Sequence, residues 1–136
     1  MIQIDRKKRV EAWLERVRYD FDTAKAMYQT GRYLYVVFMS QQAIEKALKA
    51  SIEAEGKEVP FEHNIRKLLN AADLSKEVQE EWWPQIDFLS QYYLNARYKE
   101  DISALNKKIT QKVAEQFMDF AKEMTEWCTQ KINSIK

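Results

Sequence analysis

The chain has 136 residues, enough for one domain with a proper core, and its 22 Lys and Arg against 21 Asp and Glu leave a net charge of +1. That balance excludes a bulk field drawing the protein to nucleic acid or membrane, and the basic opening Arg6-Lys7-Lys8-Arg9 reads as a solvated first turn. Two glycines, two prolines and a charged fraction of 32% suit an all-α chain, while the one cysteine, Cys128, excludes an intrachain disulfide or a cysteine metal cluster and suits a reducing cytoplasm.

The first helix is expected to start at Asp5 as N-cap and to end at Thr30, with Gly31 just past the end. Val10, Trp13, Leu14, Val17, Phe21, Ala24 and Tyr28 recur at steps of three and four and form an inward stripe. Arg9, Glu11, Arg16, Arg18, Asp20, Asp22 and Lys25 take the outward positions. The connection Gly31-Arg32 is short, so the next helix must fold back antiparallel.

That next helix, residues 33–55 (YLYVVFMSQQAIEKALKASIEAE), organises the rest. Leu34, Val37, Ile44, Leu48 and Ile52 make one apolar sector, and beside it runs a small-residue line of Val36, Ser40, Ala43, Ala47, Ala50 and Ala54. Only Tyr35, Gln42, Lys46, Lys49 and Glu53 are left to face water. A helix apolar nearly all round is a buried central helix, and a line of small residues lets a neighbour come close. Gln41 and Glu45 fall inside the apolar arc, one turn apart and pointing the same way. A buried carboxylate is costly unless paired, so Glu45 demands a cationic or donor partner elsewhere. A structural polar network and a functional site both meet that demand.

Gly56 ends this helix and Pro60 forbids its continuation, so residues 55–63 (EGKEVPFEH) form a loop. His63-Asn64 then opens a short helix with Ile65, Leu68, Leu69 and Ala72 inward. His63 is the one histidine of the chain, and at a helix start it reads either as a capping or packing residue or as a catalyst. With no second histidine a histidine-based metal site is not expected, the carboxylates show no ligand spacing, and neither metal nor cofactor is expected.

Ser75 reopens a helix, and Pro84 is expected to break or bend it after Trp82-Trp83. Beyond it Ile86, Leu89, Tyr93 and Ala96 form the inward line, flanked by Phe88 and Tyr92. The aromatic density from Trp82 to Tyr98 exceeds what a small core needs, which leaves a subunit interface or base stacking as its use. A last helix is expected from an N-cap at Ser103 to about Asn133, with Leu105, Ile109, Val113, Phe117, Phe120, Met124, Trp127 and Ile132 inward. No apolar run approaches about twenty residues and no signal-peptide pattern opens the chain, so a soluble protein without a membrane span is expected. Residues 1–136 thus read as a single all-α domain, an antiparallel up-and-down bundle of four to five helices.

Three stretches resemble one family. Residues 35–50 (YVVFMSQQAIEKALKA) look like the second helix of the HEPN domain (higher eukaryotes and prokaryotes nucleotide-binding). Residues 63–69 (HNIRKLL) are similar to its histidine-led third helix, and residues 93–98 (YLNARY) resemble its tyrosine and Arg-Tyr signature. All three occur in family order and the resemblance covers essentially the whole chain. It implies a homodimeric bundle, commonly paired with a minimal nucleotidyltransferase in a toxin–antitoxin-like system of the cytoplasm, and it implies nucleotide or RNA binding.

Members with nuclease activity cut RNA without metal, using an arginine followed four to six residues later by a histidine in the cleft between two subunits. The histidine moves the proton of the ribose 2′-hydroxyl and the arginine stabilises the developing phosphate charge. Here Arg97 is present, but residues 98–104 read YKEDISA, and no histidine follows. The resemblance therefore implies a binding module with a degenerate nuclease motif, in which Arg97, Tyr98, Lys99, Lys46 and Lys49 meet the nucleotide or RNA. Gln41, Glu45 and His63 supply buried polar support, with Arg97 the expected partner of Glu45 and the one candidate catalytic group. An active metal-independent ribonuclease toxin, with a substitute base beside Arg97, and a purely structural helical adaptor are the two alternatives.

Overall fold

The structure is a computed structural model that describes residues 2–98 and 102–135, the side chains of 2–4, 95–98, 102, 105 and 106 excepted. Its helices are α1 (Ile2–Gln29), α2 (Tyr33–Ala54), α3 (Ile65–Ala71), α4 (Trp82–Tyr98), α5 (Ile102–Lys108) and α6 (Gln111–Ser134), with a 3-10 turn at Ser75–Glu77. No strand occurs among the described residues. The all-α bundle is therefore as the periodicity requires.

α2 is the centre, packed against α1, α6, α4, α3 and α5. Its large side chains Ile44, Leu48 and Ile52 meet Ile65, Leu68 and Leu69 of α3, Ile86 and Leu89 of α4, and Met124 of α6 in one core. The small line does what its volume allows: Val36, Ser40, Ala43, Ala47 and Ala50 are wholly buried, and the hydroxyls of Ser40 and Ser51 donate back to the carbonyls of Val36 and Ala47. Burial of this kind, at roughly 25 cal/mol per Å² of apolar surface, is what holds the helices together.

Three helix ends share one geometry. After α1, Gly31 (φ 77°) donates to the Tyr28 carbonyl and Arg32 to that of Met27. After α2, Gly56 (φ 77°) donates to Glu53 and Lys57 to Ile52. After α3 the same pair of bonds, Asp73 to Asn70 and Leu74 to Leu69, puts an aspartate at φ 57° where the motif favours glycine.

Several boundaries depart from expectation. α1 already runs from Ile2, so Asp5 is an exposed first-turn acid and not an N-cap. Pro84 does not break a helix; it sits in the first turn of α4, where its absent N–H is not needed. The expected last helix is two: α5 ends at Lys108, and Thr110 caps α6 by accepting from the Val113 N–H at 3.1 Å. The apolar period runs through Ile109 into α6 and hides this break. The α4 aromatics are largely absorbed within the subunit. Trp82 meets Phe120 and Trp127 edge-on, Trp83 carries the Arg66 guanidinium 4.4 Å above its ring, Tyr92 meets Phe117 and Tyr93 stacks on Phe38. Phe88 and Leu94 are the exposed apolar side chains of α4 among those described.

Among the described residues no helix is long and apolar enough to cross a membrane. Nor, among them, do three His, Cys, Asp or Glu side chains gather so as to hold a metal ion.

Candidate functional site

Where α2, the start of α3 and α4 meet, Gln41, Glu62, His63, Asn64, Lys67, Ser90, Tyr93 and Leu94 line a cavity of about 300 Å³ open to solvent. Each wall has a local cause. Gln41 and Glu45 reach the site because the 3.6-residue period puts them, one turn apart, on the face of α2 that looks toward α3. Pro60 ends any helical continuation, and Asn64 restarts one by accepting from the Lys67 N–H at 3.0 Å, so His63 stands just outside α3. Asn64, not His63, is therefore the cap.

The His63 backbone is held from two sides. Gln41 Nε2 donates to the His63 carbonyl at 3.1 Å, and the His63 N–H donates to Glu62 Oε2 at 3.0 Å. Glu62 also accepts from the Asn64 N–H at 3.1 Å, and these backbone bonds, that of Asn64 first, hold its carboxyl below the usual range. His63 Nδ1 lies 2.7 Å from Glu45 Oε1, Phe61 stands edge-on at 5.6 Å, and Tyr93 lies at 6.4 Å with Phe38 stacked behind it at 4.7 Å.

Glu45 is 2% exposed, as the helical pattern of α2 requires. Burial pushes its carboxyl above the ordinary value, and the His63 bond and the charges of Lys46 and Lys49 oppose that rise only in part. Its Oε2 and Gln41 Oε1 are buried without a hydrogen-bond partner among the described residues. The partner of Glu45 is thus His63, eighteen residues away; Arg97, named for that role by the sequence, has a side chain outside the described residues.

The structure brings Gln41, Glu45 and His63 together as one polar unit. It places the two α2 lysines differently from expectation. Lys49, assigned to water by the wheel, is 7% exposed: its Nζ sits 5.7 Å from the Trp13 ring centre, and burial holds its pKa down. Lys46 is half-buried, 3.2 Å from Gln42 Oε1 and 3.5 Å from Asp20 Oδ2, and Asp20 is itself buried although the stripe of α1 put it outside. Glu53, likewise assigned to water, pairs with Arg9 at 3.2 Å. α1 covers this flank of α2, and a one-helix wheel contains no neighbour. Neither Lys46 nor Lys49 lines the cavity. The ammonium that does is Lys67, 3.9 Å from Glu62 Oε1, and its signal was in the sequence: it follows His63 by four residues at the start of the same short helix. Arg97 and Tyr98 lie in the last turn of α4, one turn beyond Tyr93, with side chains outside the described residues, and Lys99 lies outside them altogether.

A family model described as HEPN domain matches residues 10–132 of the chain. A crystal structure from Thermus thermophilus is similar at 31% sequence identity and a TM-score of 0.77, over 90% of this chain and 98% of that one. The crystal structure of an archaeal HEPN homologue is similar at 26% identity and a TM-score of 0.74, over 90% of this chain and 97% of that one. No curated protein matches the sequence.

Proposed function

The chain belongs to the HEPN family, and from that membership we propose that it is a nucleotide- or RNA-binding module. In this reading it works as a homodimer in the cytoplasm, beside a minimal nucleotidyltransferase in a toxin–antitoxin-like pair. One observation carries the binding reading: the cavity between α2, α3 and α4 joins a wall of hydrogen-bonding groups to the edge of the Tyr93 ring and an accessible ammonium, Lys67. An aromatic edge packs against the face of a base, and an ammonium is a point charge for phosphate. Arg97, Tyr98 and Lys99 extend the contact from the end of α4, while Lys46 and Lys49 act from behind, as charge felt by Glu45. With no histidine in residues 98–104 the family's nuclease motif is incomplete, so binding is favoured over cleavage driven by that motif.

Fluorescence anisotropy with a labelled single-stranded RNA, and calorimetry with each of the four ribonucleoside 5′-monophosphates, test the reading. Saturable binding that weakens as salt rises is expected, since phosphate contacts release counterions. Failure of RNA and all four nucleotides to bind overturns it.

A further inference from the structure

We propose, resting on the nucleotide-binding reading above, that the cavity selects guanine over the other bases and that Glu62 and Gln41 set the preference. Both residues line the cavity, and each presents an oxygen acceptor whose place is fixed by a bond to the backbone around His63.

Glu62 is fixed by the backbone that follows it. Its Oε2 accepts from the N–H groups of His63 at 3.0 Å and Asn64 at 3.1 Å. Those bonds hold the carboxyl below its usual range, so it is ionised at neutral pH. The nearest charge to Oε1 is Lys67 Nζ at 3.9 Å, beyond hydrogen-bond reach, so that oxygen keeps its capacity to accept. Gln41 is fixed from the other side. It is 1% exposed, and its Nε2 donates to the His63 carbonyl at 3.1 Å. Turning the amide over would set Oε1 against that carbonyl, so the bond decides which end is the acceptor. Gln41 Oε1 is then a buried acceptor without a partner among the described residues, and such an atom calls for a donor.

Two fixed acceptors in one cavity ask for two donors on one ligand edge. Among the RNA bases guanine alone offers adjacent donors, its N1–H and its N2 amine. Adenine and cytosine each set one amine beside a ring-nitrogen acceptor. Uracil sets its N3–H between two carbonyls, which would meet the Glu62 and Gln41 oxygens as like charge. A site built to receive donors rejects a ligand that lacks them, because its own polar groups then stay unpaired. Charge sets the direction of entry. The Glu62 carboxylate repels a phosphate, while the Lys67 side chain, 72% exposed, is free to meet one on the solvent side. The base therefore enters first.

The test is calorimetry of the full chain with GMP, IMP, AMP, CMP and UMP. All five carry the same ribose phosphate and so the same contact with Lys67, and IMP differs from GMP only by the missing N2 amine. GMP should bind roughly tenfold or more tightly than any of the others. Glu62→Gln can still accept the two backbone N–H groups but turns an amide NH2 toward the ligand. It should bring GMP down to the affinity of IMP and leave that of UMP unchanged, at an unchanged melting temperature. Gln41→Leu should weaken GMP more than UMP. The order of the five nucleotides on wild type needs no variant, so the proposal is tested even if a variant fails to fold. Equal affinities, IMP as tight as GMP, or a folded Glu62→Gln that still prefers GMP to IMP overturns the proposal and leaves the binding reading standing. Binding of none of the five, nor of RNA, overturns both.

Discussion

Glu45 of the central helix and His63 of the loop before α3 are joined at 2.7 Å, which ties the one histidine of the chain to a carboxylate sealed in the core. The bond is asymmetric in burial, since His63 remains partly in water while Glu45 does not. Glu45→Ala removes a charge-assisted bond and leaves a small void, but His63 recovers water. The loss should lie near 1–3 kcal/mol, below the range for breaking a fully buried pair. Thermal melts should therefore place Glu45→Ala several degrees below Glu123→Ala, a change on the exposed side of α6. Equal melting temperatures would show that the pair contributes nothing to the fold.

The burial of Glu45 was legible in the sequence; its partner was not. Period alone put Gln41 and Glu45 inside the apolar arc of α2, because both positions are fixed by one helix. His63 lies across a loop whose path no local pattern measures, so the demand for a donor was clear and its source was open. The wheel failed at Lys49 and Asp20 for a related reason. A long lysine stem can lie against Trp13 of α1, and an aspartate facing α2 can sit beside Lys46, when two helices meet along their whole length. The break before α6 escaped because Thr110 caps a helix whose apolar period continues from Ile109.

Asp20 gives a pH test. Burial raises its carboxyl above the ordinary 3.8, and the opposing pull of Lys46 and Arg16 does not undo this. A folded-state pKa above the unfolded one means that the folded chain holds the proton more tightly, so stability from this group falls as pH rises from about 4 through the folded value. Wild type should accordingly lose ground to Asp20→Asn between pH 4 and pH 7. A difference in melting temperature that stays constant across that range removes the claim.

Asp73 sits at φ 57° and gains a 2.6 Å contact with Lys57 Nζ. Left-handed backbone disfavours a side chain by about 1 kcal/mol or more, whereas an exposed ion pair is worth about 0–1 kcal/mol and is screened by salt. In high salt Asp73→Gly should melt above wild type, and Asp73→Ala, which keeps the strain and loses the pair, should melt below it. The reverse order of Gly and Ala would mean that the φ value carries no strain.

Self-association is read from α4. Trp83, Tyr92 and Tyr93 are used inside the subunit, which leaves Phe88, 58% exposed, and Leu94 to cover a dimer contact. Light scattering should give twice the chain mass for wild type and the single chain mass for Phe88→Glu, with the same helical content by circular dichroism. A wild-type monomer at tens of micromolar sinks the homodimer.

The lysines decide between the cavity and the α2 flank as the place where RNA binds. Lys67 lines the cavity and is exposed, while Lys46 and Lys49 are engaged by Asp20, Gln42 and Trp13. An exposed ammonium that meets phosphate releases a counterion when RNA binds; a buried one already committed to protein partners does not. Lys67→Ala should therefore weaken RNA binding several-fold at low salt and lower the slope of log affinity against log salt by about 0.7, the increment for one contact to a single strand. Lys49→Met, similar in shape and without the charge, should leave that slope unchanged. If the slope responds to Lys49 and not to Lys67, the RNA runs along α2 and the cavity beside His63 is not where it binds.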